Sequence, residues 1–240
     1  MKFMKNIEVC FTTTQFNNYN NLNSTVVVVD LLRATTVISV AFECGVDAVI
    51  PVSTIENALS FKDKKDHIIA AERNTILVEG FNFGNSPYHY LNADVRENIL
   101  VLTTTNGTKA IELAKNHKVV TASFVNLNAI VDFLVEDRND IIILCSGWKG
   151  FFNLEDTIFA GALSKKLLET NHFTTQSDSM YASIELYNSA KNDLFKYLSS
   201  SAYRRRNQSK EVIKDTRFCL NPHITSEIVP LLDKDRLIKA

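Results

Sequence analysis

The chain has 240 residues, 45% of them hydrophobic and 22% charged, the proportions of an ordinary globular chain long enough to bury a substantial core. Its formal net charge of −1 supplies no global field for nucleic acid or an anionic membrane. No apolar run approaches the ~20 residues of a membrane span, and four scattered cysteines without CxxC spacing (Cys10, Cys44, Cys145, Cys219) read as reduced thiols in a cytoplasmic protein without a leader.

The first predicted strand is the β-branched run 26–29, which ends at Asp30. A helix over 34–44, a strand over 46–52, a helix over 54–62 and a third strand over 67–73 follow. After a turn-rich loop over 81–87 the same series recurs: strand 99–102 ending at Thr103, helix 108–116, strand 117–123, helix 127–135 and strand 140–146. Equivalent elements are separated by about 70 residues, so the two series read as similar halves. Short, continuous apolar strands alternating with helices predict a largely parallel sheet buried on both faces, with right-handed crossovers. The fold class is therefore a three-layer α/β/α domain of two similar βαβαβ halves, about 25–75 and 98–150, with a C-terminal helical extension over 151–240. That extension begins with a helix over 154–169, has a polar stretch at 170–179 and a second helix over 180–197, and is less regular in its last forty residues. No linker divides the chain.

In open α/β sheets, ligands bind beyond the carboxyl ends of strands. There this sequence places DLLRATT (30–36), Glu72-Arg73, TTTNGTK (103–109) and Ser146-Gly-Trp-Lys-Gly before Asn153-Leu-Glu155-Asp156. In TTTNGTK, Asn106 or Thr105 would cap the next helix and Gly107 would let backbone approach an anion. Free N–H groups of Thr104 to Thr108, the helix dipole and Lys109 suit phosphate or sulfonate; the plain alternative is a capped helix with a tight turn. DLLRATT repeats this logic: Arg33 suits a bidentate phosphate or sulfonate contact, Thr35 and Thr36 open the helix, and Asp30 suits a hard cation or is paired with Arg33.

Glu155 and Asp156 are either first-turn acids favoured by the helix dipole behind an Asn153 cap, or further metal ligands. Glu72-Arg73 is either a strand-end salt pair or one metal ligand beside one anion ligand. Oxygen donors without a His or Cys cluster point to Mg²⁺ rather than zinc. The loop at 81–87 is a connector, or it folds over the site with Asn85 and Ser86 donating to the ligand. Cys145 ends a strand nearby and reads as a buried thiol rather than a nucleophile.

DLLRATT, Ala71-Glu72-Arg73, GFNFGNSP (80–87), TTTNGTKA (103–110) and LEDTIFAGAL (154–163), in this order, resemble the 2-phosphosulfolactate phosphatase family from about residue 8 to Pro230. Ala71 and Asn74 stand where that family usually has glycine. The resemblance implies Mg²⁺-dependent hydrolysis of 2-phosphosulfolactate to sulfolactate and phosphate, a step that serves coenzyme M synthesis in methanogens. On this reading Asp30, Glu72, Glu155 and Asp156 are metal candidates. Arg33, Arg73 and the 104–109 segment stabilise and anchor a small anionic phospho/sulfo acid. Asp30 as an aspartyl-phosphate nucleophile is the alternative, but the residue two after it is Leu32 where haloacid-dehalogenase phosphatases have a second Asp. The rival functions are a phosphatase of another small phosphorylated acid or sugar, and a non-catalytic sensor of a phosphorylated metabolite. The surplus of carboxylates favours a metal enzyme over a sensor. Oligomeric state is left open.

Overall fold

The structure is a computed structural model that describes residues 4–19 and 21–240; residues 1–3, read above as lacking a leader, lie outside it. In chain order the elements are β1 (Lys5–Cys10), β2 (Thr25–Val29), α1 (Ala34–Glu43), β3 (Ala48–Pro51), α2 (Ile55–Leu59), β4 (His67–Arg73), β5 (Ile76–Leu77) and α3 (Pro87–Leu91). Then come β6 (Ile99–Thr103), α4 (Gly107–Ala114), β7 (Lys118–Ala122), α5 (Leu127–Glu136), β8 (Ile141–Cys145), α6 (Leu154–Glu169), β9 (Phe173–Thr174) and α7 (Asp178–Ala190). The chain ends with α8 (Leu194–Tyr197), α9 (Ala202–Arg206), α10 (Lys210–Cys219), β10 (Pro230–Asp233) and β11 (Arg236–Lys239). Among the described residues no helix is long and apolar enough to cross a membrane.

The expected α/β/α architecture and its two βαβαβ halves are present, but the halves interlace. The sheet order is β5-β4-β6-β3-β11-β10-β7-β2-β8-β1-β9. Each half's first strand therefore lies between the second and third strands of the other: β6 between β3 and β4, and β2 between β7 and β8. All four pairings are parallel and in matching register. Ile99 faces Ala48 and His67, as Thr25 faces Lys118 and Ile141. The hairpin β10–β11 joins the two groups through antiparallel pairs at Leu231–Val120 and Leu237–Val49. Strand direction therefore reverses between the groups.

Alternation along β2 sorts its valines onto two cores. Val26 and Val28 join a cluster with Leu100, Leu102, Val37, Ile38 and Ile111, which places α1 and α4 against strands of both groups. Val27 and Val29 face a second cluster with Ile130, Ile158, Phe159 and Leu163 from α5 and α6. A third cluster packs α2 on the outer face of β3, β4 and β6. At the crossing of α6 and α7, a Cβ on Gly161 would stand 2.0 Å from the Ser183 carbonyl oxygen, so only glycine admits this approach.

Three expectations are corrected. The helix expected over 180–197 is two, α7 and α8, because the Asp193 side chain accepts the Lys196 N–H and starts a new helix. The tail is more ordered than its sequence suggests, supplying α9, α10 and the central hairpin. An additional strand, β1, extends the sheet beyond β8.

Candidate active site

The ends of β2 and β6 meet although their groups run in opposite directions, because the N-termini of α1 and α4 touch. A Cβ on Gly107 would lie 2.6 Å from the Ala34 Cβ and 2.7 Å from Asp30 Oδ2. The glycine thus admits the Asp30 carboxylate itself, rather than only an external anion. The Ala34 N–H donates to Asp30 Oδ1 at 3.4 Å. In the other half the Thr108 N–H donates to Thr104 Oγ1 at 3.2 Å, and Thr104 N–H donates to Thr108 Oγ1. Thr104 therefore closes this turn, where Asn106 or Thr105 was expected as the cap; neither makes a side-chain cap bond.

Two more carboxylates flank Asp30. Asp156 accepts the Leu31 and Gly147 N–H groups and the Asn153 side-chain amide, and Asn153 caps α6 as expected. Glu72 accepts from the Thr75 N–H and from the Thr105 N–H and hydroxyl. All three are buried, and none forms an ion pair with a described residue. Burial, then the charges of Asp156 and Glu72, push Asp30 up to about 8, partly offset by the N–H groups of Ala34 and Gly107. Burial and Glu155 push Asp156 up to about 7. Glu155, raised to about 7 mainly by burial, also lines a separate cavity of about 360 Å³ with Trp148, Phe152, Arg205 and Arg206. The structure thus brings Asp30, Asp156 and Glu72 together and sets Glu155 at their margin.

Arg33 is buried and pairs with Asp215, not with Asp30. Its Nη2 donates to the Thr75 carbonyl at 3.4 Å, and its Nε has no partner. Asp215 also accepts from Ser86 at 2.7 Å. Of the expected ligand donors in the 81–87 loop, Ser86 is thus spent on Asp215, whereas the buried Asn85 Oδ1 is unpartnered. Glu72 and Arg73 make no salt pair: Arg73 donates to the Glu72 carbonyl and to Thr103 Oγ1. Thr35 and Thr36 use their hydroxyls on the backbone of Asp30 and Leu31, so they fix the turn instead of facing a ligand. Asn74, where the family usually has glycine, has φ 52, a left-handed conformation that asparagine tolerates well. Cys145 is buried with its thiol pushed well above its ordinary value, the state of a structural cysteine.

The donor set is oxygen-only and has no ion-pair partner among the described residues, which fits a hard divalent cation. Among the described residues, no three acidic, imidazole or thiol groups gather closely enough to hold an ion alone. Asp30 and Asp156 could hold a cation whose sphere is completed by water and substrate, the habit of Mg²⁺.

The profile of a family described as 2-phosphosulpholactate phosphatase matches residues 10–235. The chain belongs to the 2-phosphosulfolactate phosphatase family. It is 36% identical over 215 residues to a probable 2-phosphosulfolactate phosphatase of Thermotoga maritima, covering 90% of this chain and 92% of the relative. Proteins of the same description from Caldanaerobacter subterraneus and Clostridium novyi are 34% and 33% identical, covering 90% and 97% of this chain and 93% and 99% of theirs. Family membership covers both halves and most of the tail, which includes Asp215 on α10. The partners of Arg33 and Glu72 in that tail are Asp215 and Asn207 (through Thr75). They are brought in by contacts that span more than half the chain.

Proposed function

We propose that this protein is a Mg²⁺-dependent phosphatase that hydrolyses 2-phosphosulfolactate to sulfolactate and phosphate. The observation that carries this reading is the buried group of Asp30, Asp156 and Glu72, without ion-pair partners among the described residues, beside the buried Arg33. A site that only bound an anion would gain nothing from these carboxylates, since like charge repels. Asp30 and Asp156 would hold the cation, with Glu72 close by. When bound, it would neutralise charge on the phosphoryl oxygens and lower the pKa of a water.

The protein's own groups bind and orient. Arg33, held by Asp215, offers its free Nε edge to the phosphoryl group. Arg73, fixed on Thr103, adds positive charge near Glu72. The touching N-termini of α1 and α4 place two helix dipoles at the reacting end. In the reaction, the water oxygen bonds to phosphorus as the bond from phosphorus to the C2 oxygen breaks. The proton lost by water balances the one gained by the leaving alkoxide. All four cysteines are unpaired, which supports a reducing cytoplasmic setting.

The test is phosphate release from racemic 2-phosphosulfolactate with and without Mg²⁺. Rapid release that needs the metal is expected. Mg²⁺-dependent release from other phosphoacids only would discard the substrate, and no release from any phosphoester would sink the enzymatic reading.

A further inference from the structure

The β4–β5 hairpin turns at Asn74 and Thr75, between the paired residues Arg73 and Ile76. Both turn residues are left-handed, with φ 52 and 66. Such a turn matches the twist of the strands, and glycine ordinarily fills its second place. A β-branched residue is disfavoured there. Little packing holds the tip: Asn74, Ile76 and Leu77 are exposed, and β5 is the outermost strand of the sheet.

Polar contacts hold Thr75 instead, and all three of its polar groups are used. Its N–H donates to Glu72 Oε1 at 2.5 Å. Its carbonyl accepts from Arg33 Nη2 at 3.4 Å. Its hydroxyl, with one proton to give, lies 2.6 Å from Asn207 Oδ1 and 2.5 Å from the Asn74 carbonyl. Asn207 follows α9 and is buried, and its amide donates to the Tyr203 carbonyl at 2.9 Å, so Oδ1 is the end turned to Thr75. The Arg33 guanidinium is thereby bound at both terminal nitrogens, Nη1 by Asp215 and Nη2 by Thr75, and its Nε is the nitrogen without a partner.

We propose that Thr75 is a positioning residue for the reaction: Asn207 holds it in the left-handed conformation, and from there it fixes the place of both Glu72 and Arg33. The assignment rests on the phosphatase reading above and adds the device that links the flank of the cation site to the phosphoryl anchor. Glycine would make this turn without strain. What glycine lacks is the hydroxyl, and the hydroxyl's partner Asn207 lies 132 residues away in the tail. The tail therefore acts on the site through Thr75 as well as through Asp215.

The test compares Thr75→Gly, Thr75→Ser and Asn207→Ala with wild type on the full chain. Thr75→Gly should melt within a few degrees of wild type by circular dichroism, because glycine takes this conformation freely. Calorimetry then measures binding of Mg²⁺ alone, and of inorganic phosphate in saturating Mg²⁺. Thr75→Gly should weaken both about tenfold, since one residue orients both Glu72 and Arg33. Thr75→Ser keeps the hydroxyl and should bind nearly as wild type. In phosphate release from 2-phosphosulfolactate, KM and the half-saturating Mg²⁺ concentration should rise together in Thr75→Gly, by more than kcat falls. Adding Thr75→Gly to Asn207→Ala should change little further. Unchanged binding in Thr75→Gly, weakening of one ligand alone, or an equal loss in Thr75→Ser would overturn the role. A large drop in the melting temperature of Thr75→Gly would make the contact a structural one and overturn it too. If wild type released no phosphate from any phosphoester, the phosphatase reading would fall, while the two binding constants would still decide whether Thr75 positions Glu72 and Arg33.

Discussion

Asp30→Asn should make the metal-free protein more stable at alkaline pH while removing its activity. The folded-state pKa of Asp30 is raised from 3.8 to about 8 by burial and by Asp156 and Glu72. A group raised in this way contributes stability that is complete below its unfolded pKa and is lost as pH rises through the folded one. Stability of the metal-free wild type should therefore decline between about pH 4 and 8, at up to ~1.4 kcal/mol per pH unit for one such group. Asparagine keeps an oxygen for the Ala34 N–H, carries no charge and relieves Asp156 of its neighbour. The variant should escape a loss on the order of a few kcal/mol. Urea unfolding in EDTA at pH 5.5 and 8.5 measures this: the wild-type midpoint should fall across the interval and the variant's should fall less. Mg²⁺ at pH 8.5 should raise the wild-type midpoint and leave that of Asp30→Asn nearly still, and phosphate release should drop by about a hundredfold or more. Parallel pH profiles of the two proteins in EDTA would refute the claim that the carboxylates are buried uncompensated. Mg²⁺ raising both midpoints equally would remove Asp30 from the cation site.

Gly107→Ala places a methyl 2.7 Å from Asp30 Oδ2, so kcat should fall more steeply than thermal stability, as parallel activity and melting assays would show. Asp215→Asn leaves the Arg33 charge buried without its partner; a loss of about 3–5 kcal/mol by chemical denaturation is expected, with a rise in KM for the phosphorylated substrate. Gly161→Ala forces α6 from α7 against a backbone carbonyl and should cost roughly 1–3 kcal/mol in unfolding free energy. Because Cys10, Cys145 and Cys219 are buried with raised thiol pKa values, iodoacetamide at pH 8 should leave phosphate release intact; rapid inactivation would contradict the structural role given to Cys145.

The sequence carries the local part of this structure well. Buried parallel strands announce themselves as runs such as TVVVV, and the helix start at Asn153 was legible as a cap, its side chain accepting the Asp156 N–H. What it does not carry is partner choice over long separations. The exchange of β2 and β6 between the halves follows from register, and a pattern of strands and helices contains no register. Arg33 is a case in point. Its nearest acid in sequence is Asp30, but the acid it meets is Asp215 on α10, and nothing in 30–36 distinguishes the two. Lys149 reads as one more loop lysine until its backbone is seen on Asn106.

The interlaced halves also explain why the chemistry has one centre and not two. By register, Thr25 corresponds to Ile99, so Asp30 corresponds to Thr104 and Leu31 to Thr105. The two turns are built alike: Asp30 accepts from Ala34 as Thr104 accepts from Thr108. The amides one step further are also used alike, with Leu31 donating to Asp156 as Thr105 donates to Glu72. The scaffold thus offers two equivalent capping positions and two flanking acids around the touching ends of α1 and α4. Only one capping position holds a carboxylate. A carboxylate at both would bring four buried acids to one place, a charge that a single divalent ion could not offset. A hydroxyl at both would leave the flanking acids without the central one. Asp30 takes the capping position of one half and Thr104 that of the other. On the phosphatase reading proposed above, Asp30, with Asp156 and Glu72 acting on it, would hold the cation at the join between the halves.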